Sequence, residues 1–492
     1  MSFTKNLIKH SAIYSASGVL SKLIGFILLP VYTRVLTVED FGVLALLGTF
    51  FGLFKTTSFF GMQTGVFRAY LHEAKSEEEK NKILSSFHWG LLFILGLISI
   101  PPVFFALPIV RFLGIDDKYA ILVAFLFFNN FYRLIAYARN TNFRLHQLST
   151  KYLVWNNIDF FSNIIIAIVL VVGLRLRAFG IIYAQVATTV MISTIFLPWF
   201  IRNLFNGFDA RIFKRIFTYG AHFVLVNVSM WVLNLSDRFI LNIFWGAGLV
   251  GYYSIGYRFG YIFNTFAAGL KNQWGYSLYK MGDPESVALY LSRTIMRYFA
   301  LMALLWTVLT LFVREALMLM TPALYHHVYV IVPPIAFGYI LLGVTTLLSA
   351  GIHLQRKGKW FWILSTIGAL INIILNLIFI PRYGMIAASV TTLVAFTVKP
   401  IGFYIITRQK YNIVLPWPKL GQLFCMLLMP LAACYAIIIN SIILSLLAKC
   451  SVFVMFLVIL YKSDIVMRED KDRLRAYLVS KLKFLSLKHF YR

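Results

Sequence analysis

A run of apolar blocks, each of membrane-crossing length, constrains this chain more than any other feature. The hydrocarbon core of a bilayer takes ~20 apolar residues as helix. Fourteen blocks of that order lie between residues 11 and 461. They do not alternate apolar and polar positions, as barrel strands would. A soluble chain carries roughly 25% charged residues. This one has 13%, with 60% hydrophobic, which leaves too little polar surface to face water. The expected fold is all-α: a polytopic membrane protein of about fourteen transmembrane helices. The first block follows Lys5 and Lys9, as in a signal peptide. It runs on to Val35, too long for a signal core, and reads as a span.

The net charge is +28. In a soluble protein that balance would suggest nucleic acid. Here the cations gather at block ends, where the positive-inside rule puts them. With the N-terminus in the cytoplasm, thirty of the 46 Lys and Arg fall on the cytoplasmic side, among them Arg139, Arg144 and Lys151. Seven fall outside: Arg34, Arg111, Lys118, Arg175, Arg177, Arg314 and Arg382. The asymmetry orients both termini inwards, and no nucleic-acid partner is implied.

Every loop is short, and no GxxxxGK[ST] phosphate loop occurs. The chain therefore reads as neither an ATPase nor an enzyme, and no cofactor is expected. Cys425, Cys434 and Cys450 lie in the last two blocks without metal spacing and read as small apolar packing residues. After Ser463, Leu474, Tyr477, Leu478, Leu482 and Leu485 recur at helical spacing among Lys and Arg. That tail reads as an amphipathic helix on the cytoplasmic membrane surface.

The blocks also repeat. Gly180-Ile-Ile-Tyr-Ala-Gln-Val-Ala-Thr-Thr-Val opens the sixth, and Gly384-Met-Ile-Ala-Ala-Ser-Val-Thr-Thr-Leu-Val opens the twelfth. Asn163 and Asn372 precede them in the fifth and eleventh. Phe41-Gly42-Val43 near the start of the second has a counterpart in Val250-Gly251-Tyr252 of the eighth. Six spans separate each pair, so the halves share one orientation and form a parallel repeat. The expected division is an N-terminal lobe over 1–203, a C-terminal lobe over 204–410, an added pair of spans over 411–462, and the basic tail over 463–492.

Nine cations remain inside the expected spans: Lys22, Lys55, Arg68, Arg133, Arg238, Arg258, Lys271, Lys399 and Lys449. Two acids, Asp159 and Asp237, are read as lying with them. A cation at mid-span costs roughly 2.5–3.5 kcal/mol on insertion scales, so most of the nine must face a wet cavity, pair internally or snorkel. Arg68, Arg133, Lys271 and Lys399 lie near span ends, where snorkelling serves. Lys22 shares a helix face with Gly18 and Gly25, and Arg258 follows Gly251-Tyr-Tyr-Ser-Ile-Gly-Tyr. Asn227, Asn234, Arg238 and Asn242 form a polar stripe on span seven. Asn156, Asp159 and Asn163 form one on span five. Such stripes either join helices or line a pathway. The excess of cations suits a phosphate or pyrophosphate, which Lys and Arg bind by charge-assisted hydrogen bonds.

Several tracts carry a resemblance. Leu20-Ser-Lys-Leu-Ile-Gly-Phe-Ile-Leu-Leu-Pro-Val-Tyr-Thr-Arg, Gly65-Val-Phe-Arg-Ala-Tyr, Ser236-Asp-Arg-Phe-Ile-Leu and Val250-Gly-Tyr-Tyr-Ser-Ile-Gly-Tyr-Arg resemble bacterial polysaccharide flippases. These belong to the multidrug/oligosaccharidyl-lipid/polysaccharide exporter superfamily. The resemblance implies a two-lobed bundle with alternating access around a cationic cavity, multi-pass in a bacterial inner membrane. It implies an undecaprenyl-pyrophosphate-linked repeat unit of O-antigen, capsule or exopolysaccharide as substrate, and polymerase or assembly proteins as partners. Lys22 and Arg258 match cavity arginines of the related peptidoglycan-precursor flippase, and Arg68 matches more loosely. A further cavity arginine of that relative falls near Leu28, and this departure favours a polysaccharide substrate. The expected pyrophosphate site is thus Lys22, Arg258, Arg68, Lys55 and Arg238, with Asn227, Asn234, Asn156 and Asn163 lining the cavity. Asp237 and Asp159 are the candidates for coupling to a proton or sodium ion, against internal pairing with Arg238 or Arg133.

Two rivals are weighed. A multidrug antiporter of the same fold needs intramembrane acids, and cations outnumber them here. A membrane glycosyltransferase or polymerase needs catalytic acids, commonly in sizeable external loops. Glu39-Asp40 and Asp116-Asp117 occupy short ones and read as solvated turn residues. His326-His327 could bind metal, but adjacent positions do not share a helix face. Nothing resembles a channel filter.

Overall fold

The computed structural model describes residues 25–221, 224–280, 283–355, 357–439, 441–465 and 469–472, and every regular element among them is helical. Eleven helices are long and apolar enough to cross a membrane, and a shorter apolar helix, α1, covers Gly25–Val35. The first half continues with α2 (Val38–Ser58), α3 (Met62–Arg68), α4 (Glu77–Ser99), α5 (Ala120–Leu145), α6 (Ser149–Ile168) and α7 (Arg177–Leu204). Then come α8 (Ala210–Ala221), α9 (Val224–Lys280), α10 (Pro284–Met320), α11 (Val332–Leu354), α12 (Lys359–Tyr411), α13 (Trp417–Ala436) and α14 (Ile442–Lys462). The tail beyond 472 and the candidate Lys22 lie outside the described residues.

Two of these helices are far longer than one crossing, and each is broken at a glycine. In α9 the break is Gly246 (φ 75°, ψ 172°), and in α12 it is Gly384 (φ 53°, ψ −131°). A positive φ is open to glycine and strained for residues with a Cβ. Both breaks fall where two apolar blocks of the sequence meet. They also meet each other. The Trp245 indole donates to the Ile380 carbonyl at 2.9 Å, and a Cβ on Gly384 would lie 3.2 Å from Leu249.

The start of α2 is set by chemistry readable in Thr37-Val-Glu-Asp40. The Thr37 hydroxyl accepts from the Asp40 backbone N–H, and Asp40 accepts from the Thr37 backbone N–H at 2.9 Å. This capping box satisfies two otherwise orphaned donors. It also accounts for Asp40, which is buried rather than a solvated turn residue.

Small residues let α2 approach α9 closely. A side chain on Gly42 would overlap the Ala247 carbonyl, and one on Gly251 would overlap the Val38 carbonyl. Near the other end, Gly61 and Gly65 meet the backbone of α8 at Gly220 and Ile216. Close backbone approach through small residues is how membrane helices gain contact without a hydrophobic drive. Aromatic rings then fix α2 against α5: Phe51 and Phe54 flank Phe127 at 4.7 and 5.1 Å, and Phe59 stacks on Tyr137 at 3.9 Å.

The chain divides into two compact units. One comprises Met1–Arg258, Met320–Ile331 and Lys359–Val398, and the other Phe259–Leu319, Val332–Gly358 and Lys399–Arg492. The first holds the contacts just described. Within the second, the Tyr298 hydroxyl donates to the Ile340 carbonyl at 2.8 Å and the Trp306 indole to the Pro333 carbonyl at 3.0 Å.

Candidate functional site

α2 serves as a ruler for the charges around it. Phe41, Gly52 and Lys55 share one face of this helix at 3.6 residues per turn. The Arg258 guanidinium, from α9, lies over the Phe41 ring at 5.8 Å. Two turns further along α2, Arg238 donates to the Thr49 hydroxyl at 3.4 Å, and the Trp231 indole donates to the Thr49 carbonyl at 2.9 Å.

Arg238 and Arg258 lie within electrostatic reach of each other, and Arg258 also within reach of Tyr32 of α1. Arg238 is half-buried under Tyr257, with its guanidinium 4.8 Å from the ring centroid, and its buried Nε has no partner. Arg258 is exposed. Among the described residues neither guanidinium forms a salt bridge. The ring faces offset part of the charge, and Asp237 acts on Arg238 through space without a salt bridge.

Asp237, next to Arg238 in sequence, does not neutralise it by a salt bridge. Its buried carboxylate accepts from the Tyr253 hydroxyl, from the Arg238 backbone N–H at 2.8 Å and from Thr392 at 3.5 Å. Beside it runs a second chain of polar groups. Ser236 and Asn376 both donate to Asn372 Oδ1, at 3.2 and 3.0 Å, and Thr391 donates to Asn376 Oδ1. Asn372 Nδ2 is buried without a partner. The sequence marks Asn372 and the Thr391-Thr392 pair as repeat elements, but not their meeting with Asp237.

A separate group lies in the first half. Asp159 pairs with Arg139 at 2.6 Å, not with Arg133. Arg139 is 1% exposed and lies over Phe196 at 5.0 Å. It therefore belongs to the helix interior, not to the cytoplasmic loop to which charge counting assigns it. Asn140 and Asn156 join across the same two helices at 3.2 Å, which makes the stripe on α6 helix glue at that position. Asn163 is half-buried on the same helix. Lys55 has Arg133 as its charged neighbour.

The remaining candidates scatter. Arg68 is exposed, paired with Glu73 at 3.1 Å and set over Tyr219 at 4.7 Å. Glu73 also holds Arg215 at 3.1 Å. Asn234 donates to the Met230 carbonyl at 2.5 Å, and Asn227 is half-buried. Asp116 caps the turn before α5, and its hydrogen bond from Lys118 holds its carboxyl below the usual range. A carboxyl so held is a poor proton donor near neutral pH. His327 packs edge-on to Tyr252 at 4.5 Å, and no group of acids, Cys and His fit to hold a metal occurs among the described residues.

A third acid lies inside the expected spans, beyond Asp159 and Asp237. Glu315 lies inside the apolar run of α10, 3% exposed, and meets the fully buried Lys449 at 2.7 Å and Ser445 at 2.6 Å. The signal for it in the sequence is an Arg314-Glu315 pair set inside an otherwise apolar run.

A family model described as "Polysaccharide biosynthesis protein" matches residues 7–270, over half of the chain. The chain belongs to that family. No curated protein sequence matches it. Solved structures of this polysaccharide-biosynthesis member's fold are numerous. It is similar to the lipid II flippase MurJ in an inward closed conformation, at 18% identity and TM-score 0.65, covering 93% of this chain and 98% of that one. An inward-facing multidrug resistance MATE family transporter of the MOP superfamily matches at 14% identity and TM-score 0.64, over 82% and 94%. A MATE protein in complex with MaD3S matches at 17% and 0.60, over 83% and 96%. The fold is therefore that of the MurJ and MATE transporters. These are transporters and flippases, not enzymes, and the helices are those of a multi-pass membrane protein.

Proposed function

We propose that this family member is a flippase that moves an undecaprenyl-pyrophosphate-linked oligosaccharide repeat unit from the cytoplasmic to the outer leaflet of a bacterial inner membrane. The observation that carries this reading is that Arg238 and Arg258 act on each other while neither forms a salt bridge among the described residues, with Arg238 at Thr49. Two like charges within electrostatic reach of each other repel, and an anionic head group between them removes that cost. Pyrophosphate matches the fork geometry of two guanidiniums better than a point charge would. The likeness to a protein named as a lipid II flippase supports a lipid cargo.

The reading includes fourteen crossings with both termini cytoplasmic, and lobes over 1–203 and 204–410 that rock about the substrate. Lys22, aligned by resemblance, completes the cation set. Asp237 is the coupling site. Its carboxylate, with the amide and hydroxyl oxygens of Asn372, Asn376, Thr391 and Thr392 nearby, offers oxygen ligands to a small cation such as sodium, or a seat for a proton. Polymerase or assembly proteins would consume the product at the outer face.

The test is a deletion strain in which the sidedness of the lipid-linked unit is measured. Loss of surface polymer, with intact units accumulating on the cytoplasmic leaflet, is the expected result. Normal polymer with altered drug sensitivity would favour a multidrug antiporter, and units delivered outside but unjoined would point to a polymerase.

A further inference from the structure

Arg238 is held in place by a ring rather than by an acid. A carboxylate fixes a guanidinium by taking its donors and cancelling its charge. An aromatic ring attracts it through the negative face of the π-system and leaves the charge standing. Both arrangements occur in this chain. Arg139 sits over Phe196 and Arg68 over Tyr219, but each also meets a carboxylate, Asp159 at 2.6 Å and Glu73 at 3.1 Å. Arg238 has the ring of Tyr257 at 4.8 Å and no salt bridge among the described residues. A guanidinium presents several N–H donors. Here Nη1 donates to the Thr49 hydroxyl at 3.4 Å, and Nε is buried without a partner.

The ring itself is fixed. Tyr257 is 4% exposed, and its hydroxyl donates to the Asn234 carbonyl at 3.1 Å. The Tyr253 ring lies against it at 5.6 Å. Asn234 and Arg238 lie on one leg of α9, a helical turn apart, and Tyr257 lies on the leg beyond the Gly246 break. The hydroxyl thus ties the ring to the helix that carries the cation. Holding a long side chain costs rotamer freedom. A fixed ring orders Arg238 before cargo arrives, and such preorganisation favours binding. Arg258 lies over Phe41 at 5.8 Å, near the ~6 Å limit for such contacts, so the contact at Arg238 is the stronger of the two.

We propose that Tyr257 is a positioning residue: its ring face holds Arg238 with its charge and N–H donors open to the pyrophosphate. The proposal rests on the flippase reading and adds to it a residue that acts through Arg238. Weakening the ring face while keeping its shape loosens cargo binding and leaves the packing of α9 as it is.

The test uses the purified full chain in proteoliposomes, with a polyprenyl-pyrophosphate oligosaccharide as cargo. The cargo concentration for half-maximal translocation is measured, a quantity independent of how much protein folds. Two side chains at position 257 are compared, Tyr257→Phe and a trifluorophenylalanine. They share a shape, but fluorine draws electron density from the ring face and weakens its hold on a cation. The fluorinated form is expected to need about three- to tenfold more cargo than Tyr257→Phe. With Arg238→Gln also present, that difference is expected to vanish. A ring that only fills space would behave alike in both forms. Equal half-saturation for the two forms therefore overturns the proposal, and so does a difference that persists without Arg238. In either case, translocation by the wild type leaves the flippase reading standing. No translocation by the wild type overturns that reading, and this inference with it.

Discussion

Arg258→Ala and Arg238→Ala each lose translocation by about ten- to a hundredfold, and neither lowers the thermal stability of the protein. The first half follows from the chemistry of the cargo. A hydrogen bond to a charged group contributes ~1.5–3 kcal/mol, and each 1.4 kcal/mol is a factor of ten. The second half follows from the repulsion between the two cations. Arg238 and Arg258 repel each other, Arg238 Nε is buried without a partner, and no carboxylate forms a salt bridge with either among the described residues. Removing one of them relieves that repulsion and gives up only weak contacts, a ring face and, for Arg238, one long hydrogen bond to Thr49, the usual trade between stability and function at a binding site. Lysine at position 258 keeps the charge and loses the fork, so it should fall between wild type and alanine. The check is a translocation assay beside a melting curve for each variant. A drop in melting temperature that tracks the drop in activity would make the pair structural, and the site assignment would fail.

The opposite pattern is expected at Glu315 and Lys449. Both are buried, the ammonium meets the carboxylate at 2.7 and 3.0 Å, and Ser445 donates to the same carboxylate. This pair ties α14 to α10 within one compact unit. Removing one partner of a buried ion pair costs about 3–5 kcal/mol, because the other charge stays buried and alone. Lys449→Met should therefore sharply reduce folded yield. Replacing both partners, Glu315→Leu with Lys449→Met, should recover most of it, since a well-packed apolar pair replaces an ion pair at little cost. Detergent melting curves of the two singles and the double decide the matter. A double variant no better than the singles would show that the pair does more than hold α14 in place.

The contrast between these two pairs explains what was legible beforehand. Apolar block length needs no tertiary information, so the all-helical membrane fold was readable directly. The breaks in α9 and α12 were also readable, because Gly246 and Gly384 sit where two apolar blocks join and the backbone there needs a positive φ. Partnership was not readable. Asp159 and Arg139 are twenty residues apart across the turn between α5 and α6, and charge counting sends Arg139 to a loop because it lies close to Arg144 and Lys151. Glu315 was missed for a related reason: its partner Lys449 lies 134 residues away, so nothing local flags it as neutralised. The polar stripe on α9 mixes two roles. Arg238 faces other charges, while Asn242 donates to the Leu113 carbonyl at 2.6 Å and joins elements. Period alone cannot separate a pathway from glue.

The central claim is tested most directly by purified protein in sealed proteoliposomes loaded with a labelled polyprenyl-pyrophosphate oligosaccharide in one leaflet. The account predicts that the label crosses to the other leaflet in a protein-dependent way, and that Arg258→Ala suppresses the crossing. Label that stays in its original leaflet, while the same vesicles exchange a cationic drug for protons or sodium, would contradict it.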